Sequence, residues 1–143
     1  MTERPLLLEY TARMVYWLMI AVSLWILLRG HNAPGGGFIA GLVAVAATSL
    51  MAIVYGCDRA QRAMPLAPLP LTGFGILLAL VSGVPALFSG QPFLTHAWWN
   101  IDLGFTTYKL STVLAFDLGV YAAVWGAFSL YLLALLNDEG DTA

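Results

Sequence analysis

Residues 36–55 read GGFIAGLVAVAATSLMAIVY, a stretch from Gly36 to Tyr55 with no charged side chain. A helix needs about 20 such residues, each rising about 1.5 Å, to cross roughly 30 Å of hydrocarbon. Lipid supplies no partner for backbone N–H and C=O groups, so the stretch must satisfy them internally, as a helix. Three more stretches share this character: about Thr11 to Leu28, about Leu69 to Phe88 and about Leu110 to Leu136. The expectation is an all-α integral membrane protein with about four transmembrane helices, forming a single transmembrane domain over residues 1–143.

Composition agrees with that reading. Of 143 residues, 60% are apolar and 10% charged, against about 45–50% and about 25% in soluble domains. A chain this short has too little interior to hide so much apolar surface from water. The net charge is −2, and the six Lys and Arg residues are scattered. A nucleic-acid partner would need a basic stripe, so that class is excluded. Cys57 is the single cysteine. It cannot form an internal disulfide or thiolate cluster and reads as a small apolar residue near a helix end. The first apolar stretch follows Arg4 and Arg13 but ends at Arg29-Gly30-His31 without a small-x-small cleavage pattern. It is expected to stay as a span.

The distribution of Lys and Arg sets the expected orientation. With four spans, Arg4, Arg13, Arg59 and Arg62 share one side, and Arg29 and Lys109 share the other. Both termini are therefore expected to be cytoplasmic. The second span carries Gly37 and Gly41 as a small-xxx-small pair, the pattern that lets helix backbones approach closely. The third carries Gly73, Gly75, Gly83 and Pro85; Pro85 removes a backbone donor and should kink or shorten it. The longest connection, about Ser89 to Lys109, holds Trp98-Trp99 beside a span end. Paired Trp residues there read as an interfacial anchor, which puts this loop on the membrane surface.

Two features could carry chemistry. The turn Arg29-Gly30-His31-Asn32-Ala33-Pro34-Gly35-Gly36-Gly37-Phe38 feeds a helix start, whose first amides lack intrahelical acceptors. Such a turn can bind an anion or a partner's carboxylate; equally, it can be a tight joint packed against another subunit. No Gly-Lys-Ser/Thr follows, so it is not a nucleotide loop. His31 can relay protons or simply hydrogen-bond the turn. Asp117 is the second feature, a carboxylate inside the fourth span. Such a residue usually faces protein or water and marks an ion or proton path; the other reading is a helix–helix hydrogen bond that fixes packing. Tyr121 lies one turn later on the same face, and Lys109 and Thr112 precede it near the span end. Two histidines without clustered carboxylates make no metal site. No nucleophile–base pair or cofactor motif points to an enzyme, and no cofactor is expected.

The string Gly30-His31-Asn32-Ala33-Pro34-Gly35-Gly36-Gly37-Phe38, continuing to Gly41, resembles the signature of the MnhB family, the B-type subunits of Mrp-type multisubunit Na+/H+ antiporters. Pro92-Phe93-Leu94-Thr95-His96 and Ser111-Thr112 with Phe116-Asp117-Leu118-Gly119-Val120-Tyr121 resemble two further family segments. The similarity covers essentially the whole chain. It implies a small four-helix, non-enzymatic subunit, multi-pass in the cell membrane, within an assembly of several different membrane subunits. That assembly exchanges cytoplasmic Na+, or another monovalent cation, for external protons. The family positions fall on His31, Pro34, Gly35, Gly36, Gly37, Phe38 and Asp117. Some relatives carry this unit fused to one of the assembly's large subunits; here a separate chain is expected. Related subunits also belong to sodium-translocating modules of membrane-bound hydrogenases, which keeps a redox-linked complex open as the alternative. A purely structural scaffold, built on the Gly-rich turn, is the other.

Overall fold

The computed structural model describes residues 6–30, 35–88, 90, 92, 98–102 and 107–141. Helix α1 is Leu6–Arg29 and α2 is Gly37–Tyr55. A short α3, Cys57–Ala63, leads to α4, Pro68–Val81, and α5, Val84–Phe88. Strands β1, Trp98–Asp102, and β2, Thr107–Ser111, precede α6, Thr112–Asp141. Among the described residues four helical runs are long and apolar enough to cross a membrane: Leu7–Arg29, Gly37–Tyr55, Cys57–Phe88 and Thr112–Asp138.

The third run is not one helix. Pro85 has no N–H to donate to the carbonyl of Val81, and its ring would press on that carbonyl. Helix α4 ends at Val81, the turn is closed by Ser82 N–H to Leu78 O (3.0 Å) and Gly83 N–H to Leu80 O (3.2 Å), and α5 follows. The interruption expected from the sequence is thus present. Helix α3 is not expected from the sequence, where it reads as a charged connection. Its Asp58, Arg59, Gln61 and Arg62 are exposed while Ala60 is fully buried, so it lies flat on the bundle by one small residue.

The long loop adds strands to the all-α expectation. β1 and β2 form an antiparallel hairpin, with Trp98 opposite Ser111 and Asp102 opposite Thr107. Its sequence is rich in aromatic and β-branched residues, which suit a pleated strand. The pairing takes Leu110 and Ser111 into β2, so the last helix begins at Thr112 and not at Leu110.

Helix α6 is the centre of the bundle. It packs against both α2 and α4, and α1 packs against α2 with only a light contact to α6. The core joins Leu27, Ala44, Val45, Leu71, Tyr121 and Trp125; a second cluster joins Tyr16, Ala47, Met51 and Leu133. Many large apolar side chains point outward, among them Met14, Trp17, Leu69, Leu77 and Leu80. In water that would be a large exposed apolar patch; in a bilayer it is the ordinary solvent-facing surface.

Candidate functional site

The Gly-rich turn and Asp117 meet in space. Gly36 precedes α2 at φ 110°, ψ 178°, backbone that side-chain-bearing residues rarely adopt. Its N–H donates to Ile26 O at 3.4 Å, which folds the turn back on the last turns of α1. A Cβ at position 36 would lie 3.8 Å from both Asp117 carboxylate oxygens. The carboxylate therefore sits over the turn, at the N-terminal end of α2. There the free amides and the helix dipole favour negative charge. A group beside this helix start, where the sequence left an anion or a partner's carboxylate open, is the chain's own Asp117 carboxyl. Asp117 is half-buried and falls in the second turn of α6.

At the next residue, the first of α2, a Cβ at Gly37 would come within 2.9 Å of the Asp117 carbonyl carbon and 3.0 Å of the Tyr121 amide nitrogen. At Gly41 it would come within 2.9 Å of the Val124 Cβ. The small-xxx-small pair thus lies against α6 from Asp117 to Val124. Phe38 is on another face and is 53% exposed.

Below this contact the interface is stitched by hydroxyls. The Ser23 hydroxyl of α1 lies 3.1 Å from Ala40 O and 3.0 Å from the Tyr121 hydroxyl. One proton cannot serve both, and a carbonyl can only accept. Ser23 therefore donates to Ala40, and Tyr121 donates to Ser23. The Trp125 indole N–H donates to Thr48 Oγ1 at 2.8 Å, and Thr48 donates to Ala44 O at 3.0 Å. The Tyr121 and Trp125 rings stand 5.6 Å apart. Ser129, one turn further along α6, is buried with no hydrogen-bond partner for its hydroxyl among the described residues.

Of the residues singled out from the sequence, Asp117, Gly36, Gly37, Gly41 and Tyr121 converge at the α2–α6 contact, and Gly35 lies in the turn leading to it. Thr112 opens α6, five residues before Asp117, and Lys109 stands in β2 opposite Asn100. His31 and Pro34 lie outside the described residues. The sequence reading missed Ser23, Thr48 and Trp125. Their signal was modest: hydroxyl and indole groups inside apolar spans, the usual interhelical glue in membranes. No group of three or more His, Cys, Asp or Glu gathers among the described residues in a way that would hold a metal ion.

Comparison with known proteins matches this architecture to one family. A family model described as a domain related to the MnhB subunit of the Na+/H+ antiporter matches residues 7–130. The B-type Na+/H+ antiporter subunit of Bacillus subtilis (strain 168) is 35% identical over 137 residues, covering 94% of each chain. A probable K+/H+ antiporter subunit of the fused A/B type from Rhizobium meliloti (strain 1021) is 36% identical over 119 residues, which are 82% of this chain but 12% of that protein. A chain in the structure of the Mrp complex from Dietzia sp. DQ12-45-1b superposes with a TM-score of 0.75 at 31% identity; the match covers 94% of this chain and spans 15% of that one. The chain belongs to the family of domains related to the MnhB subunit of the Na+/H+ antiporter.

Proposed function

We propose that this chain serves as the MnhB-type subunit of an Mrp-type multisubunit cation/proton antiporter in the cell membrane, a non-enzymatic helical partner whose Asp117 borders an ion path completed by neighbouring subunits. Membership of the assembly is supported by the near-full-length likeness to the Bacillus subtilis protein. The relatives are named for Na+ in one case and K+ in another, so the function is stated for a monovalent cation.

The observation that carries the role of Asp117 is its half-buried carboxylate over the Gly36 turn. Being five residues into α6, it lies about 7–8 Å along the helix, at about 1.5 Å per residue. That is near one edge of the membrane. With both termini cytoplasmic, that edge is the external one. Lys109, Thr112 and Tyr121 belong to the same end of the bundle. A carboxylate there can hold an arriving proton or a departing cation, while the α2 N-terminus keeps it oriented.

Among the described residues, the hydroxyl network does not carry a continuous relay inward from Tyr121. A proton relay needs groups that both donate and accept. The Trp125 indole N–H donates only, and it separates the Tyr121–Ser23 pair from the Ser129 end. On this reading ions reach Asp117 from its exposed side, between this chain and a partner.

The test is Asp117→Asn in the intact complex, reconstituted in vesicles with an imposed proton gradient. A lower antiport rate or weaker apparent cation affinity, with normal assembly, is the expected result. Unchanged rate, affinity and pH dependence would sink the ion-path role and leave Asp117 as a packing residue. Copurification tests the assembly itself: hydrogenase and iron–sulfur subunits in place of antiporter subunits would move the chain to a redox-linked complex.

A further inference from the structure

Helices α1 and α6 both pack beside α2 but meet each other only lightly. Between them runs a groove of about 400 Å3, lined by Tyr16, Ile20 and Leu24 from α1 and Trp125 from α6, with walls almost wholly of carbon. Its α1 wall, from Tyr16 to Leu24, is roughly 12 Å long at about 1.5 Å per residue. Walls of this kind suit a hydrocarbon chain.

The groove does not end blindly. Pro65 lines it and also lines a second pocket, of about 450 Å3, whose polar side chains are Asp58, Gln61 and Arg62 of α3. Asp58 and Arg62 are four residues apart on one helix face, and both are exposed. A pocket carrying an acid and a guanidinium together complements a zwitterion better than a simple anion. Its depth is also suitable. Cys57, which opens α3, approaches Leu133 O of α6 at 3.8 Å. The 30 residues of α6 run about 45 Å and outreach the roughly 30 Å hydrocarbon layer. The exposed charges Asp58, Arg59 and Arg62 belong at the polar boundary and not in hydrocarbon, and the groove leads from this pocket toward the acyl region. The Tyr16 hydroxyl is committed to Ala63 O at 2.9 Å, so Tyr16 offers the groove its ring and not its polar end.

We propose that the groove and the α3 pocket together bind one zwitterionic phospholipid of the ethanolamine class. Its phosphate faces Arg62, its ammonium faces Asp58, and one acyl chain lies along Tyr16, Ile20 and Leu24. The Arg fork suits phosphate oxygens, and the carboxylate of Asp58 excludes purely anionic head groups by repulsion.

The experiment uses the full chain in the assembly with which it purifies, placed in vesicles containing photoreactive phospholipids with a diazirine in the acyl chain. Phosphatidylethanolamine and phosphatidylglycerol probes are compared, and labelled peptides are mapped by mass spectrometry. The expected result is labelling within Tyr16–Leu24, several-fold stronger for the ethanolamine probe. That preference should be lost in the double variant Asp58→Ala/Arg62→Ala, whose side chains are exposed. Leu24→Trp should fill the groove and abolish the labelling. Equal labelling by both probes, or a preference that survives the double variant, would overturn the zwitterion assignment. Absence of label on this segment, as when a neighbouring subunit covers it, would overturn the site.

Discussion

Gly37 of α2 rests on the backbone of Asp117 in α6: a Cβ there would lie 2.9 Å from the Asp117 carbonyl carbon and 3.0 Å from the Tyr121 amide nitrogen. Backbone atoms within a helix cannot swing aside as a flexible side chain would. Gly37→Ala should therefore push α2 and α6 apart at a cost of about 1–3 kcal/mol, the usual range for overpacking, and Gly37→Leu should block assembly. The amount of intact complex on a native gel reads this directly. Normal complex levels with Gly37→Leu would mean that the helices do not pack this closely in the membrane.

The Tyr121–Ser23 pair predicts an asymmetry between two single substitutions. Tyr121→Phe leaves Ser23 still bonded to Ala40 O. It should cost no more than the roughly 0.6–1.7 kcal/mol seen for interhelical hydrogen bonds in membranes. Ser23→Ala instead orphans the hydroxyl of a Tyr121 that is 5% exposed, and an unmatched buried donor costs about 1–3 kcal/mol. Thermal inactivation of the solubilised complex should rank Ser23→Ala below Tyr121→Phe. The reverse order would show that the Ser23–Tyr121 bond is not made in the assembly.

The Trp125–Thr48 bond can be isolated with a double-mutant cycle. Trp125→Phe and Thr48→Val should each destabilise, and together they should cost less than the sum of the two. The coupling expected for a direct bond of this kind in a membrane protein is about 0.6–1.7 kcal/mol. Strict additivity would mean that the indole and the hydroxyl do not interact.

Two glycines two residues apart on α4 should behave oppositely. At Gly75 a Cβ would meet Gly119 O at 2.6 Å and the Ala123 Cα at 2.8 Å, whereas at Gly73 nothing lies within 4 Å. Gly75→Leu should detach α4 from α6 and abolish a stable fold, while Gly73→Leu should leave this chain's own fold intact. Protease resistance of the solubilised chain distinguishes them; equal sensitivity would refute the α4–α6 contact.

What could be read along the chain was what each residue does alone or with near neighbours. The apolar lengths of the four spans, the break at Pro85 and the close-approach potential of Gly37 and Gly41 are all of this kind. Helix α3 escaped because it lies in a stretch read as a connection, and the β1–β2 hairpin because its paired Trp residues were read as an interfacial anchor and not as part of a strand. The meaning of Asp117 escaped for a different reason. Its neighbour Gly36 is remote in sequence, and nothing in either residue's surroundings names the other.

The sequence by itself determined that this chain partitions into lipid as four helical crossings. Hydrocarbon thickness and the need to satisfy every backbone hydrogen bond act on each segment separately. Only the tertiary structure decided that Asp117 sits over the α2 N-terminus, that Ser23 meets Tyr121 across 98 residues, and that Gly75 rather than Gly73 carries α4. Helices in lipid have no apolar face that must turn inward, because lipid is as apolar as the core. Their rotation and pairing are set by where backbones can touch and where a polar group finds its partner, and both exist only once the helices are together.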